Sequence, residues 1–155
     1  MKALIIYDSF FGNTEKIARA IGAVLGTDVF KVQKVKPEQL AGLDLLIVGS
    51  PTRAFSPSPD IKSFMKKLPS NALQGVKVAA FDTRIAINDT GSKFLSFMIK
   101  LFGYADKPIA KALVKKGGTL ILATEGYYVK ESEGPLKEGE LQRATEWANK
   151  ILSAA

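Results

Sequence analysis

The chain has 155 residues, the length of one ordinary domain, with 46% apolar and 24% charged residues and a formal net charge of +7. It contains no cysteine and no histidine, which removes Ser-His-Asp and Cys-His hydrolases, zinc sites built on those residues, iron–sulfur clusters and dithiol redox chemistry. The uncharged apolar runs, such as Ala3–Tyr7 and Leu45–Val48, fall far short of the roughly 20 residues of a membrane-spanning helix, and Met1-Lys2 leads into the first run without an export-signal pattern. The expectation is therefore one cytoplasmic domain over 1–155, with no membrane partner and no metal.

Strand-length apolar runs occur at Ala3–Tyr7, Val29–Val32, Leu45–Val48, Val76–Phe81 and Thr119–Ala123. They are near-continuous rather than alternating, as in strands covered on both faces. Between them lie helical stripes. Ile17, Ala20, Ile21, Val24 and Leu25 recur at helical spacing, and Ser58-Pro59-Asp60 reads as an N-cap, a first-position proline and a first-turn acid ahead of Ile61, Phe64, Met65 and Leu68. Phe94, Phe97, Met98, Leu101 and Phe102 form a third stripe stopped at Gly103, with Leu95 and Ile99 outside it. A helix this apolar all round reads either as broadly buried or as an oligomer interface, and burial is the expected outcome. Ile109, Leu113 and Val114 predict a fourth helix ending at Gly117-Gly118, and Leu141, Ala144, Trp147, Ala148 and Ile151 a last one. Alternation of five strands with helices predicts a parallel sheet covered on both faces, with right-handed crossovers. Ligands of such sheets sit beyond the carboxyl ends of the strands, so the loops 8–14, 49–58, 82–92 and 124–136 are the ones to inspect.

The first loop, Asp8-Ser9-Phe10-Phe11-Gly12-Asn13-Thr14, runs into a helix that starts near Asn13. A helix N-terminus presents unpaired N–H groups and the positive end of its dipole, which suits an anion. Ser9, Asn13 and Thr14 add short polar side chains, and Gly12 allows close backbone approach. An asparagine cap on a turn that needs a glycine explains the same residues, and both readings stay open on this loop alone. Neither G-x-G-x-x-G nor G-x-x-x-x-G-K-[ST] occurs, so the dinucleotide and P-loop signatures are missing. A phosphorylation receiver needs an acceptor aspartate at the end of its third strand, where this chain has Val48-Gly49-Ser50.

The run Ile5-Ile6-Tyr7-Asp8-Ser9-Phe10-Phe11-Gly12-Asn13-Thr14-Glu15-Lys16-Ile17-Ala18 resembles the flavodoxin FMN-phosphate signature, and Val48-Gly49-Ser50-Pro51-Thr52 resembles that family's second flavin loop. Glu133-Gly134-Pro135-Leu136-Lys137-Glu138-Gly139-Glu140 is similar to the approach to its last helix, so the likeness spans essentially the whole chain at short-chain size. The resemblance implies a flavodoxin-like three-layer α/β/α sandwich with a five-stranded parallel sheet in the order 2-1-3-4-5. It implies FMN as cofactor, with the 5′-phosphate held by Ser9, Asn13 and Thr14 and the backbone of Phe10, Phe11 and Gly12. Pro51 and Thr52 would run beside the ribityl chain in a second loop that continues through Arg53, Ala54 and Phe55. Phe55 stands where an aromatic can cover a flavin face, or where it can anchor the helix after Pro59. Asp82, Thr83 and Arg84 open the third loop, and Tyr127 and Tyr128 end near the site.

Some positions depart from the family pattern. Phe11 replaces a hydroxyl residue of the phosphate turn, a variant that also looks like the turn of flavodoxin-like quinone reductases. The second loop has no glycine for the backbone change that flavodoxins make there. The third loop reads Asp82-Thr83-Arg84-Ile85 where the family has a Gly-Asp-x-x-Tyr run. Arg53 and Arg84 near the ring would favour the reduced flavin, making the protein less reducing than an acidic relative.

The positive excess lies in residues 60–116, with eleven Lys/Arg against four Asp. A basic face attracts nucleic acid, an anionic membrane or an acidic partner, and aromatic interleaving of the kind that binds nucleic acid is missing. The resemblance implies an FMN-binding carrier that passes electrons between redox partners with acidic docking surfaces, as a monomer and without catalytic residues of its own. Two alternatives remain: a small FMN-dependent NAD(P)H:quinone-type reductase, which would be an oligomer, and a flavodoxin-fold binding domain that has lost FMN.

Overall fold

The computed structural model describes residues 1–155. Strands β1 (Ala3–Tyr7), β2 (Asp28–Lys31), β3 (Leu45–Pro51), β4 (Lys77–Ile85), β5 (Thr119–Leu120) and β6 (Glu125–Val129) form one sheet, with helices α1 (Asn13–Leu25), α2 (Pro59–Lys67), α3 (Lys93–Phe102), α4 (Asp106–Lys115) and α5 (Glu140–Ala154). All ladders are parallel, in the order β2-β1-β3-β4-β5, with β6 also on β4. The sheet has the predicted flavodoxin-like order, 2-1-3-4-5, with a short sixth strand.

That sixth strand is a correction to the predicted fifth. Leu120 pairs with Val78 and Glu125 with Phe81, so four residues of the last strand stand opposite two of β4 and the ladder breaks between them. The strand then resumes beyond Ala123, where sequence placed a loop, and carries Val129 to the level of Ile85. The sheet edge thereby reaches the end of the molecule that holds the long loops.

Each central strand presents alternate residues to opposite faces. Leu4, Ile6, Leu46, Val48, Val78 and Ala80 pack with Ile61 and Met65 of α2 and Ile109 and Leu113 of α4. Ile5, Tyr7, Leu45, Ile47, Ala79 and Phe81 pack with Ile17 and Ile21 of α1 and Trp147 and Ile151 of α5. This two-sided cover is why the strands carry no polar alternation. Helix α3 belongs to neither cluster. Only Ile99 of its ten residues is buried, so the expected broad burial of this helix does not occur.

Candidate functional site

The carboxyl ends of β1, β3, β4 and β6 open onto one cavity of about 300 Å³. The first loop contributes Ser9, Phe10, Phe11, Asn13 and Thr14; the second Pro51, Thr52, Arg53 and Ala54; the third Thr83, Arg84 and Ile85; and the last strand and its loop Val129 and Ser132. Of the predicted residues, Gly12, Phe55 and Asp82 lie off the lining, while Ile85, Val129 and Ser132 enter it unpredicted. Val129 and Ser132 arrive because the last strand extends beyond Ala123. The signal for them was confined to loop 124–136 being one of those at the strand ends.

In the first loop the Asn13 cap does not form. Gly12 holds the cap position of α1 at φ 89°, and no side chain bonds the helix N-terminus. Positive φ at this point is why a glycine stands there. Ser9 Oγ accepts from the Gly12 N–H at 3.0 Å, tightening the turn. The N–H groups of Phe10, Phe11, Asn13, Thr14 and Glu15 donate to no protein acceptor. Asn13 turns its amide to the Glu133 carbonyl, 3.1 Å away, close against Gly134, where a Cβ would meet the amide at 2.7 Å. The Thr14 and Thr83 hydroxyls share a buried hydrogen bond of 2.7 Å, which joins the first and third loops.

Asp8, behind the turn, is 2% exposed. Its carboxylate accepts from the Ser9 N–H at 2.9 Å and from the Ser58 hydroxyl at 2.6 Å. Ser58 also accepts from the Ile61 N–H as the predicted cap of α2, and its own N–H donates to Ser50 Oγ at 2.9 Å. Asp8, Ser50 and Ser58 therefore lock the first loop to the second. Nothing in the sequence spacing announced a partner fifty positions away.

The second loop is a tight hairpin. Arg53 and Ser56 exchange both backbone hydrogen bonds, at 2.8 and 3.0 Å, around Ala54 at φ 47° and Phe55 at φ 68°. Two positive φ values define the primed hairpin turns that normally use Asn-Gly. Here two residues with Cβ atoms adopt them, a strained arrangement. Arg53 lays its guanidinium over the Phe10 ring, 4.6 Å from the centroid, so the first and second loops meet across the mouth of the cavity. Phe55 turns the other way. Its ring packs 6.0 Å from that of Phe102 on α3 and lines a neighbouring pocket of about 210 Å³ that shares Thr52, Ala54 and Ile85 with the main cavity. Its ring therefore does not line the main cavity.

The third loop departs furthest from expectation. Asp82 is fully buried beneath the cavity and takes a bidentate pair from Arg84, with both contacts at 2.7 Å. Arg84 Nη2 also lies 3.1 Å from Asp106 Oδ2, and the Asp106 N–H donates to Asp82 at 2.9 Å. Tyr104 covers the guanidinium at 3.8 Å, and a Cβ at Gly126 would meet it at 2.2 Å. Arg84 is thus sandwiched and neutralised, not a free cation at the cavity. Burial, with the Asp106 charge adding to it, pushes Asp82 up to about 7. Burial disfavours the charge on Arg84, but Asp82 and Asp106 outweigh it and hold that group above its ordinary range.

Tyr127 is a core residue, edge-on to Phe81 with its hydroxyl buried and unpartnered; Tyr128 lies near Lys137 and Arg143. Neither lines the cavity.

Comparison with known proteins agrees with this architecture. A family model described as a flavodoxin domain matches residues 4–117. Over its full length the fold is similar to that of oxidised flavodoxin 1 from Bacillus cereus, with a TM-score of 0.77, 16% identity and coverage of 100% of this chain and 99% of that one. It is equally similar to a flavodoxin from the domain Archaea, with a TM-score of 0.77, 24% identity and coverage of 99% and 97%. In sequence, an uncharacterised protein of Methanocaldococcus jannaschii, MJ0298, is 45% identical over 51 residues, about a third of each chain (32% and 34%). With the family pattern matched across most of the chain and the sheet order of that fold in place, the protein belongs to the flavodoxin domain family.

Proposed function

We propose that the protein binds FMN in the cavity at the strand ends and carries electrons between redox partners, as one cytoplasmic domain spanning 1–155. The observation that carries this reading is the cup of unpartnered amides from Phe10 to Glu15 at the uncapped start of a 13-residue helix. The donor set fits a phosphate monoester: five backbone N–H groups, the Ser9 and Thr14 hydroxyls, one lining arginine without a carboxylate partner, Arg53, and no Asp or Glu in the lining. Loss of a hydroxyl at Phe11 removes one donor and leaves the backbone cup intact. FMN, when bound, supplies the one- and two-electron chemistry.

In this reading the Ser9 and Thr14 hydroxyls and the free N–H groups of Phe10, Phe11, Asn13, Thr14 and Glu15 hold the phosphate end, with Gly12 shaping the turn and the Thr14–Thr83 bond fixing the hydroxyl that faces it. Pro51, Thr52, Arg53, Ala54 and Ile85 flank the remainder of the cofactor, and Arg53 on Phe10 restricts the mouth. No side chain is needed as a general acid or base. Titration of the purified protein with FMN, followed by flavin fluorescence quenching, tests the proposal: stoichiometric quenching at micromolar FMN is expected. A colourless protein that leaves added FMN fluorescence unchanged would overturn it, and would point to a fold that has lost the cofactor.

A second reading, a small FMN-dependent NAD(P)H:quinone-type reductase, is favoured by the apolar pocket of about 210 Å³ beneath Phe55, which adjoins the main cavity and would extend it toward a flat apolar acceptor. Steady-state turnover of NAD(P)H with a quinone by the FMN-loaded protein distinguishes the two.

A further inference from the structure

Helix α3 exposes five large apolar side chains: Phe94 at 69%, Leu95 at 42%, Phe97 at 60%, Leu101 at 61% and Phe102 at 56%. At a helical period Phe94, Phe97 and Leu101 fall in one arc away from the buried Ile99, while Leu95 and Phe102 stand at its edge nearer Ile99, Leu95 lining the pocket under Phe55 and Phe102 packing on the Phe55 ring. Monomeric proteins normally cover such a face. Lys93 and Lys100, seven residues apart, line one border of the arc, and no Asp or Glu occurs from Thr90 to Ala105. The charge there is uncompensated locally, within the segment that carries the excess positive charge of the chain.

Three kinds of occupant compete for this face. A second copy carries the same net charge of +7 and brings no acid from this segment to answer Lys93 and Lys100, and like charges facing across an interface oppose pairing. An acidic protein would answer the lysines but would also have to present an apolar surface matched in shape to a projecting row of Phe and Leu. An anionic bilayer asks for no shape match. It accepts a projecting row of Phe and Leu below the headgroups and pairs the flanking lysines with lipid phosphates. We propose that α3 is an interfacial helix that docks the protein, peripherally, on an anionic membrane surface. The expectation of no membrane partner rested on the lack of a spanning run, which a peripheral helix does not need.

The test uses the full chain with and without added FMN, sedimented with vesicles of phosphatidylcholine alone or with about one-third phosphatidylglycerol. Expected are binding to the anionic vesicles, at least tenfold weaker binding to the neutral ones, and a several-fold loss on raising salt to about 0.5 M. The double variant Phe94→Ser/Phe97→Ser, both exposed positions outside the FMN cavity, should lose binding at least tenfold while FMN quenching stays unchanged. Unaltered quenching also certifies the fold and separates this proposal from the cofactor reading. Three results overturn it: wild-type protein that ignores anionic vesicles and so leaves the helix to a protein partner; vesicle binding that the double variant retains; or, by light scattering, a dimer that the double variant dissolves.

Discussion

Arg84 grips Asp82 with both arms of its fork, 2.7 Å from each carboxylate oxygen, and reaches Asp106 from the same guanidinium. One cation therefore stands between two buried acids directly under the floor of the cavity. Removing it leaves both carboxylates without a counter-charge. Arg84→Gln is expected to cost about 3–5 kcal/mol of folding stability, the usual penalty for breaking a buried pair from one side. Urea denaturation reads it; a loss under 1 kcal/mol would contradict the neutralising role.

The same triad makes stability depend on pH. Asp82 titrates near 7 in the folded protein and near 3.9 in an unfolded chain, so the native state binds the extra proton between those values. Its contribution is fully present below about pH 4 and is lost as pH rises through about 7. In Asp82→Asn that downward slope should disappear. Stability curves taken from pH 4 to 8 on both proteins check the sign, and a slope unchanged in the variant would assign it elsewhere.

Ala54 at φ 47° is half of a turn built for glycine. Ala54→Gly is expected to stabilise the protein by about 0.5–1 kcal/mol, relief of left-handed strain outweighing the greater freedom of glycine when unfolded. Ala54→Val should destabilise it by more than that, because β-branched residues resist positive φ. Thermal melts of the two variants should move in opposite directions.

Arg53 is the one arginine of the lining not paired with a carboxylate. Arg53→Gln should lower the midpoint potential of bound FMN, with about 59 mV for each 1.4 kcal/mol of one-electron stabilisation lost. Solvent exposure of the side chain keeps the shift below that figure. Spectroelectrochemical titration measures it, and an upward shift would refute a cationic influence at the mouth.

Much was settled by local sequence. The glycine before Asn13, the Ser58-Pro59 start of α2, the apolar strands and the order of elements follow from backbone chemistry and from how many faces each segment must bury, which neighbouring residues encode. The first loop with its unpartnered donors was legible for the same reason, because a helix start and its donors lie within a few residues. What tertiary structure decided was how charge and aromatics met. Arg84 reads as a free cation until Asp82, on the same face of its strand, and Asp106, 22 positions on, close around it; Phe55 leaves the main lining because Phe102, remote in the chain, comes alongside; and α3 reads as a core helix until the sheet is found to be covered without it. Such pairings join positions remote in the chain, and whether a side chain is buried, neutralised or left bare depends on which neighbours the fold brings to it.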